Sequence, residues 1–235
     1  MDLNQIRSRV APYTFANKSY SKLFGIGANK TGTTSLEKIF RALGLNVPNQ
    51  QEQEVRIVRQ LHRGNLRPLQ EFVARFDAFQ DSPFSQGLTF AQVDALFPQS
   101  KFILTVRDPE PWFDSLCRFH EKVFGVASVA ELTPEFARGK SLYLYRDYTY
   151  ESFVRSSTVV RDNRLVEAPE LLYDKEHRIS QYLARNRSII HHFRQRPDDL
   201  LVIDLTQEAN VGRILDFLDI PQEFNFPVPH ENRSA

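Results

Sequence analysis

A lysine, a glycine and a run of hydroxyl side chains follow a short apolar segment near the start of the chain. The apolar segment covers 23–27, and Lys30 and Gly32 lie in the turn after it. This turn is followed directly by three hydroxyl residues, Thr33, Thr34 and Ser35. If a helix begins here, its free N–H groups and positive end converge on one point, to which the hydroxyls add donors and the lysine adds a charge. These residue types at this spacing predict a site for a phosphate or sulfate group.

The order of residues in the turn differs from that of a nucleotide-hydrolysing P-loop. A P-loop that hydrolyses nucleotides has its lysine directly after the last glycine. Here Thr33 takes that position, and Lys30 comes two residues before Gly32. The simpler alternative is an ordinary turn between a strand and a helix with good capping residues, and we favour the anion site over it.

A second polar group follows another apolar run. Residues 101–106 read KFILTV, which is typical of a buried strand, and Arg107 comes directly after them, with Ser115 in the next predicted helix. A guanidinium at a strand end and a hydroxyl on the facing helix can hold one phosphate between them, because the planar fork of arginine matches phosphate oxygens. The alternative is a surface ion pair of Arg107 with Asp108 or Asp114.

Strands that alternate with helices are expected to position these residues. Buried strands are predicted at 23–27, 76–81, 101–106 and 200–204, with a short edge strand at 45–48. Besides the helix after Gly32, helices are predicted at 50–63, 66–75, 90–97, from Pro111 onward, 176–194 and 211–218. This alternation predicts an α/β fold with three α/β/α layers and a mostly parallel central sheet. The strand, loop and helix around Lys30 indicate that it is of the P-loop nucleotide-binding type. Ligands bind beyond the carboxyl ends of such strands, so the Lys30 loop, Asp81 and Arg107 are expected to form one site.

The whole chain, 1–235, is expected to be a single domain. Residues 1–21 are polar and are expected to form an N-terminal arm over it. Residues 121–175 are the hardest to interpret, and we expect a variable insertion there. Four tyrosines in this stretch could line a ligand pocket, although packing is the favoured interpretation of Tyr143, Tyr145, Tyr148 and Tyr150.

The two motifs resemble those of sulfotransferases that use 3′-phosphoadenosine-5′-phosphosulfate (PAPS). The matching residues are the lysine-to-serine loop at 30–35, then Arg107, Pro109 and Ser115, and the resemblance extends to the closing part of the chain, 182–235. It implies in-line transfer of a sulfuryl group from PAPS to a hydroxyl or amine of an acceptor, with the variable residues 121–175 on the acceptor side. It also implies that the donor is bound by Asn29, Lys30, Thr31, Gly32, Thr33, Thr34, Ser35, Arg107, Ser115 and Arg233. Of these, Arg233 is matched by its position only.

The resemblance also implies roles in catalysis. Lys30 would neutralise the leaving oxygen, and a general base would remove the proton of the acceptor. Asp81, at the end of a predicted strand, is the first candidate for this base, and His120 is the second. Asp81 could instead only cap its turn or bind Lys30, and both interpretations stay open. Trp112 and Phe113 could stack on the adenine of the donor or pack in the core.

Composition argues against several kinds of partner and binding site. Hydrophobic content of 41% and charged content of 25% are ordinary for a globular protein, and a formal net charge of +1 gives no reason to expect nucleic acid or an anionic membrane as partner. The one cysteine, Cys117, excludes an internal disulfide and a multi-cysteine zinc site, and no metal is expected. Neither a signal peptide nor a membrane-spanning run is found, so we expect a cytoplasmic protein without a membrane span.

Two functions other than sulfuryl transfer are also compatible with the sequence. One is a P-loop nucleotide-dependent kinase or other phosphotransferase, which shares the strand, loop and helix. The other is a non-catalytic module that binds a phosphonucleotide. The acceptor, a small molecule or a carbohydrate, and the oligomeric state are not identified by the sequence.

Overall fold

The computed structural model of the protein describes residues 2–229. The helices, in chain order from α1 to α10, are Leu3–Asn17, Thr33–Ala42, Gln50–His62, Arg67–Val73, Thr89–Leu96, Pro109–Phe124, Pro134–Ala137, Tyr148–Ser157, Lys175–His192 and Gly212–Phe217. The strands, from β1 to β6, are Leu23–Gly25, Ala78–Phe79, Lys101–Thr105, Thr158–Arg161, Arg164–Glu167 and Leu200–Ile203. Within the described part of the chain, no helix combines the length and the apolar character needed to cross a membrane.

The chain divides into two compact units. The first unit combines the described residues up to Arg107 with those from Asn186 onward, and the second unit is Asp108–Arg185. Helix α9 begins in the second unit and ends in the first. The expectation of a single domain over 1–235 stays a prediction.

The first unit is built on a four-stranded parallel sheet with the order β2-β1-β3-β6. Phe24 in β1 pairs with Phe79 in β2 and with Phe102 in β3. Every residue of β1 and β2 is buried, as are the last four residues of β3, which is why these strands read as apolar runs in the sequence. The predicted α/β fold with a parallel central sheet is therefore confirmed.

Helices cover both faces of this sheet. Successive strand residues point to opposite faces, so Leu23 and Phe24 belong to different cores. The Leu23 face packs against α1, α2 and α10, and the Phe24 face packs against α3, α4, α5 and the end of α9. This produces the three predicted layers.

The predicted edge strand at 45–48 is wrong. Residues 45–48 form no strand, although the Asn46 carbonyl accepts hydrogen bonds from the backbone N–H groups of Asp77 at 2.8 Å and Ala78 at 3.3 Å. Pro48 lacks an N–H group, which limits pairing in this segment. The segment expected to be a polar arm contains the 15-residue helix α1, and its Val10 is buried in the core.

The second unit contains structure that the sequence did not predict. Strands β4 and β5 pair as an antiparallel hairpin, and its turn residues Asp162 and Asn163 have φ values of 50° and 60°. Two consecutive positive φ angles are typical of the tight turns that join such strands. Helix α8 precedes the hairpin, and Phe153 of α8 packs in a small core with Leu132, Ala137 and Leu172.

Candidate functional site

The loop between β1 and α2 depends on glycine at two positions. At Gly27, an added Cβ would lie 2.0 Å from Thr105 Oγ1 and 2.4 Å from the Thr105 carbonyl oxygen, so no side chain fits between the loop and β3. Gly32 has φ of 98° and caps the N-terminus of α2. Glycine adopts this left-handed conformation without steric cost. Lys30 also has a positive φ, 71°, so the loop is sharply turned on both sides of Thr31.

Thr31 fastens the loop to the sheet. Its hydroxyl donates to the Ala28 carbonyl at 2.6 Å and lies 2.7 Å from the hydroxyl of Thr105 in β3. The residue is fully buried. Because its hydroxyl is used inside the protein, any contact of Thr31 with a ligand would have to come from its backbone.

The first turn of α2 contains the three hydroxyl residues that the sequence analysis proposed as donors to an anion. Gly32 has no side chain that could bond the free N–H groups of this turn. Thr33 is buried and its hydroxyl donates to Asp81 Oδ2 at 3.0 Å, whereas Ser35 is buried and Thr34 is exposed. The hydroxyl of Thr33 thus connects the loop to Asp81.

Arg107 lies beside the same loop. It follows β3, the neighbour of β1, and its Nη1 donates to the Lys30 carbonyl at 3.5 Å, a long hydrogen bond. The structure therefore brings the Lys30 loop, Asp81 and Arg107 together at the carboxyl ends of β1, β2 and β3. These are the three groups that the positions of the strands led us to combine.

Asp81 is buried at the end of β2 among donors. Burial raises its pKa, while hydrogen bonds from Thr33, the Ser82 amide and Asn29 and the charge of Lys30 act in the opposite direction. The Ser82 amide is 2.8 Å from Asp81 Oδ1. A carboxyl group with a raised pKa at the end of a strand, next to the predicted anion-binding loop, suits a general base.

Gln53 is a residue of this site that the sequence analysis missed. Its side-chain amide in α3 donates to the carbonyl oxygens of Gln80 at 2.9 Å and Ser82 at 2.6 Å, which flank Asp81. Gln53 is buried, and Asp81 has φ of 60°. The glutamine thereby holds the backbone in the conformation that aims the carboxyl group. Its partners are 27 and 29 residues away, so no local pattern indicated the contact.

Replacing Gln53 with leucine should lower the free energy of unfolding by about 2 kcal/mol, because two buried carbonyl oxygens lose their donor. Urea denaturation followed by circular dichroism would measure the change. Gln51 is exposed on the same helix, so Gln51→Leu is a matched control expected to be close to neutral. Equal stability of the two variants would contradict the role of Gln53.

The remaining predicted residues lie elsewhere in the chain. Ser115 and His120 are in α6 of the second unit, and there His120 Nδ1 is 2.7 Å from the hydroxyl of Tyr173. The pairing of Ser115 with Arg107, like the role of His120 as a base, stays a prediction. Arg233 lies outside the described residues.

The aromatic residues considered for ligand contacts are engaged in packing. Trp112 is buried and stacks on Tyr182, with ring centroids 4.2 Å apart and an interplanar angle of 13°. Phe113 is also buried, and Tyr148 packs against Tyr143 and Tyr145. These contacts agree with packing, which was the favoured interpretation of the tyrosines and was left open for Trp112 and Phe113.

Comparison with known proteins identifies the family. The model of the sulfotransferase domain matches residues 22–235, which is nearly the whole chain, so the protein belongs to the sulfotransferase family. A search of curated proteins found no match. Family membership supports transfer of a sulfuryl group as the general reaction. Among residues 2–229, no group of three or more His, Cys, Asp and Glu side chains is arranged to hold a metal ion.

Proposed function

We propose that the protein transfers a sulfuryl group from PAPS to a hydroxyl or amine of a small-molecule or carbohydrate acceptor. The observation that carries this proposal is the meeting of three groups at one edge of the sheet. Arg107 Nη1 is 3.5 Å from the Lys30 carbonyl of the loop, and the Thr33 hydroxyl of the same loop is 3.0 Å from Asp81. An anion-binding loop, a guanidinium and a buried carboxyl group are the parts that such a transfer needs.

The donor would be held at its two acidic ends. The N–H groups of the first turn of α2, with the hydroxyls of Thr34 and Ser35, would bind the 5′-phosphosulfate. Arg107, with Ser115 and Arg233 as proposed partners, would bind the 3′-phosphate. Asn29 would help to position the loop, because its side chain hydrogen-bonds both Ser85 and Asp81.

The reaction would be an in-line displacement at sulfur. The acceptor oxygen or nitrogen forms a bond to sulfur while the bond from sulfur to the bridging oxygen breaks, and adenosine 3′,5′-bisphosphate leaves. Negative charge develops on the leaving oxygen, where the Lys30 ammonium would neutralise it. Asp81 would take the acceptor's proton, with His120 as the other candidate. No metal enters this scheme.

Isothermal titration calorimetry with adenosine 3′,5′-bisphosphate tests the proposed donor. We expect the bisphosphate to bind in the presence of EDTA, and ATP with Mg²⁺ to compete poorly. Binding of ATP with Mg²⁺ but not of the bisphosphate would overturn the proposal in favour of a phosphotransferase. Binding of the bisphosphate without transfer to any acceptor would favour a non-catalytic module.

Replacing Arg107 with alanine should weaken binding of the bisphosphate about 10- to 100-fold. The variant loses charge-assisted hydrogen bonds to a phosphate, worth roughly 1.5–3 kcal/mol. The same calorimetric titration measures the loss. Arg63→Ala removes an exposed arginine of the first unit and should bind like the wild type. Wild-type affinity in Arg107→Ala would exclude this arginine from the donor site.

A cytoplasmic location is part of the proposal. Residues 29–31 read Asn-Lys-Thr, which matches the acceptor pattern for N-glycosylation. A glycan on Asn29 would block the loop, so the proposed donor site fits a chain that does not pass through a secretory lumen.

A further inference from the structure

The side-chain amide of Asn29 contacts two residues of the candidate site. Its carbonyl oxygen Oδ1 accepts a hydrogen bond from the Ser85 hydroxyl at 2.9 Å, and its side chain also hydrogen-bonds the Asp81 carboxyl group. A side-chain amide accepts through its oxygen and donates through its nitrogen. Because Ser85 bonds to the oxygen, the Nδ2–H group is the part of the amide that donates to Asp81. This orientation suits an ionised carboxylate, which can only accept.

Ser85 is itself held in place by Asp81. It lies in the turn after β2, and its backbone N–H donates to the Asp81 carbonyl oxygen at 2.9 Å. The residue is only 5% exposed, so little water competes for its hydroxyl. The three residues, all in the first unit, therefore close a ring of hydrogen bonds. The Asp81 backbone holds Ser85, Ser85 holds the Asn29 amide, and this amide donates to the Asp81 carboxyl group.

Three further groups act on the Asp81 carboxyl group. The Thr33 hydroxyl donates to Oδ2 at 3.0 Å, and the Ser82 amide donates to Oδ1 at 2.8 Å. The third is the positive charge of Lys30. Burial raises the pKa of Asp81, and all these groups, like Asn29, oppose that effect. Loss of the bond from Asn29 should therefore raise the pKa of Asp81 further.

We propose that Ser85 is a positioning residue for Asp81: its hydroxyl orients the Asn29 amide so that Nδ2–H donates to the carboxylate. Without this hydroxyl, the amide would be free to turn over and present its oxygen to the carboxylate, which repels it. A base that is oriented by a further group is a common arrangement in catalysis. The importance of Ser85 for the reaction rests on the proposed function, whereas its effect on Asp81 does not.

Titration of the Asp81 carboxyl carbon by NMR tests this role without a substrate. The signal is identified in protein with labelled aspartate by its loss in Asp81→Asn. We expect Ser85→Ala to move the titration midpoint of Asp81 upward by about one pH unit, because a hydrogen bond to a charged group is weakened or lost. Ser85→Cys keeps a weaker donor and should move the midpoint less.

A double-mutant cycle shows whether Ser85 acts through Asn29. Asn29→Ala alone should raise the Asp81 midpoint at least as much as Ser85→Ala does. Adding Ser85→Ala to Asn29→Ala should then have little further effect, because the hydroxyl has lost the group on which it acts. Two shifts that simply add would contradict the proposal, since Ser85 would then influence Asp81 by another route.

Ser100 provides a matched control in the same unit. It is also buried, its hydroxyl donates to the Phe97 carbonyl at 2.6 Å, and it directly precedes β3, at the amino end of that strand. Ser100→Ala removes a buried hydroxyl just as Ser85→Ala does, but it should leave the Asp81 midpoint at the wild-type value. If Ser85→Ala does not fold, the comparison of Ser85→Cys with Ser100→Cys decides the question.

The pH dependence of transfer separates this proposal from the proposed function. With PAPS and an acceptor, the acidic limb of the rate should move upward in Ser85→Ala by the same amount as the Asp81 midpoint. A general loss of structure would instead lower the rate equally at every pH. A midpoint that is unchanged in both Ser85 variants overturns the positioning role. If the midpoint moves but the wild type neither binds the bisphosphate nor transfers a sulfuryl group, the effect of Ser85 on Asp81 stands and the proposed function fails.

Discussion

Replacing Lys30 with alanine should lower the rate of sulfuryl transfer about 100- to 1000-fold, the range found when one preorganised donor to a developing charge is removed. The affinity for adenosine 3′,5′-bisphosphate should change only a few-fold. The ammonium is proposed to act on the oxygen that becomes negative as its bond to sulfur breaks, so most of its effect belongs to the transition state.

The measurement uses PAPS labelled with radioactive sulfur and an acceptor identified from pooled carbohydrates, phenols, lipids and peptides. Lys38→Ala is the control, because it removes another lysine charge from the same part of the chain, on α2. Equal losses of turnover and of bisphosphate affinity in Lys30→Ala would mean that Lys30 binds the donor in the ground state, which contradicts the assigned role.

The sheet could be predicted from the sequence because its buried strands are runs of apolar or small residues. All residues of β1 are buried, as are residues 102–105 of β3, and only apolar or small residues fit there. The loop before α2 was also predictable. Its glycines are required by a close approach to Thr105 and by a positive φ, and both constraints depend on a few neighbouring residues.

Contacts between distant residues were not predictable in the same way. Gln53 reads as one polar residue of an amphipathic helix, and its role depends on β2 passing beside α3. Thr31 was expected among the donor-binding residues, but its hydroxyl bonds to Thr105, 74 residues later, inside the protein. Such partners depend on how whole helices and strands pack together. Local patterns in the sequence do not reveal this packing.

The second unit was hard to predict for another reason. Strands β4 and β5 are short and largely exposed, so they show little of the apolar pattern that marks a buried strand. The hairpin is specified mainly by its Asp162-Asn163 turn, a weaker signal than a buried run. The core of this unit is also small, with few positions that must be apolar.

Replacing Asp81 with asparagine should lower the transfer rate about 100- to 10,000-fold, the usual contribution of a general base. Asparagine has the same shape and can still accept the hydrogen bond from the Ser82 amide.

Because burial raises the pKa of Asp81, the folded protein favours the neutral carboxyl group. Stability from this group is present at low pH and is lost as the pH rises through the raised pKa. Asp81→Asn should therefore not lower stability through loss of charge near pH 7.

The pH dependence of the rate distinguishes Asp81 from His120. A base acts in its deprotonated form, so the wild-type rate should fall as the pH drops through the raised pKa of Asp81, and Asp81→Asn should lose this acidic limb. Asp198→Asn, an exposed carboxylate change in the first unit, should keep it. If His120→Gln removes the limb and Asp81→Asn keeps it, then His120 is the base. In that case Asp81 would hold Thr33 and the loop in place through the 3.0 Å hydrogen bond that it accepts from the Thr33 hydroxyl.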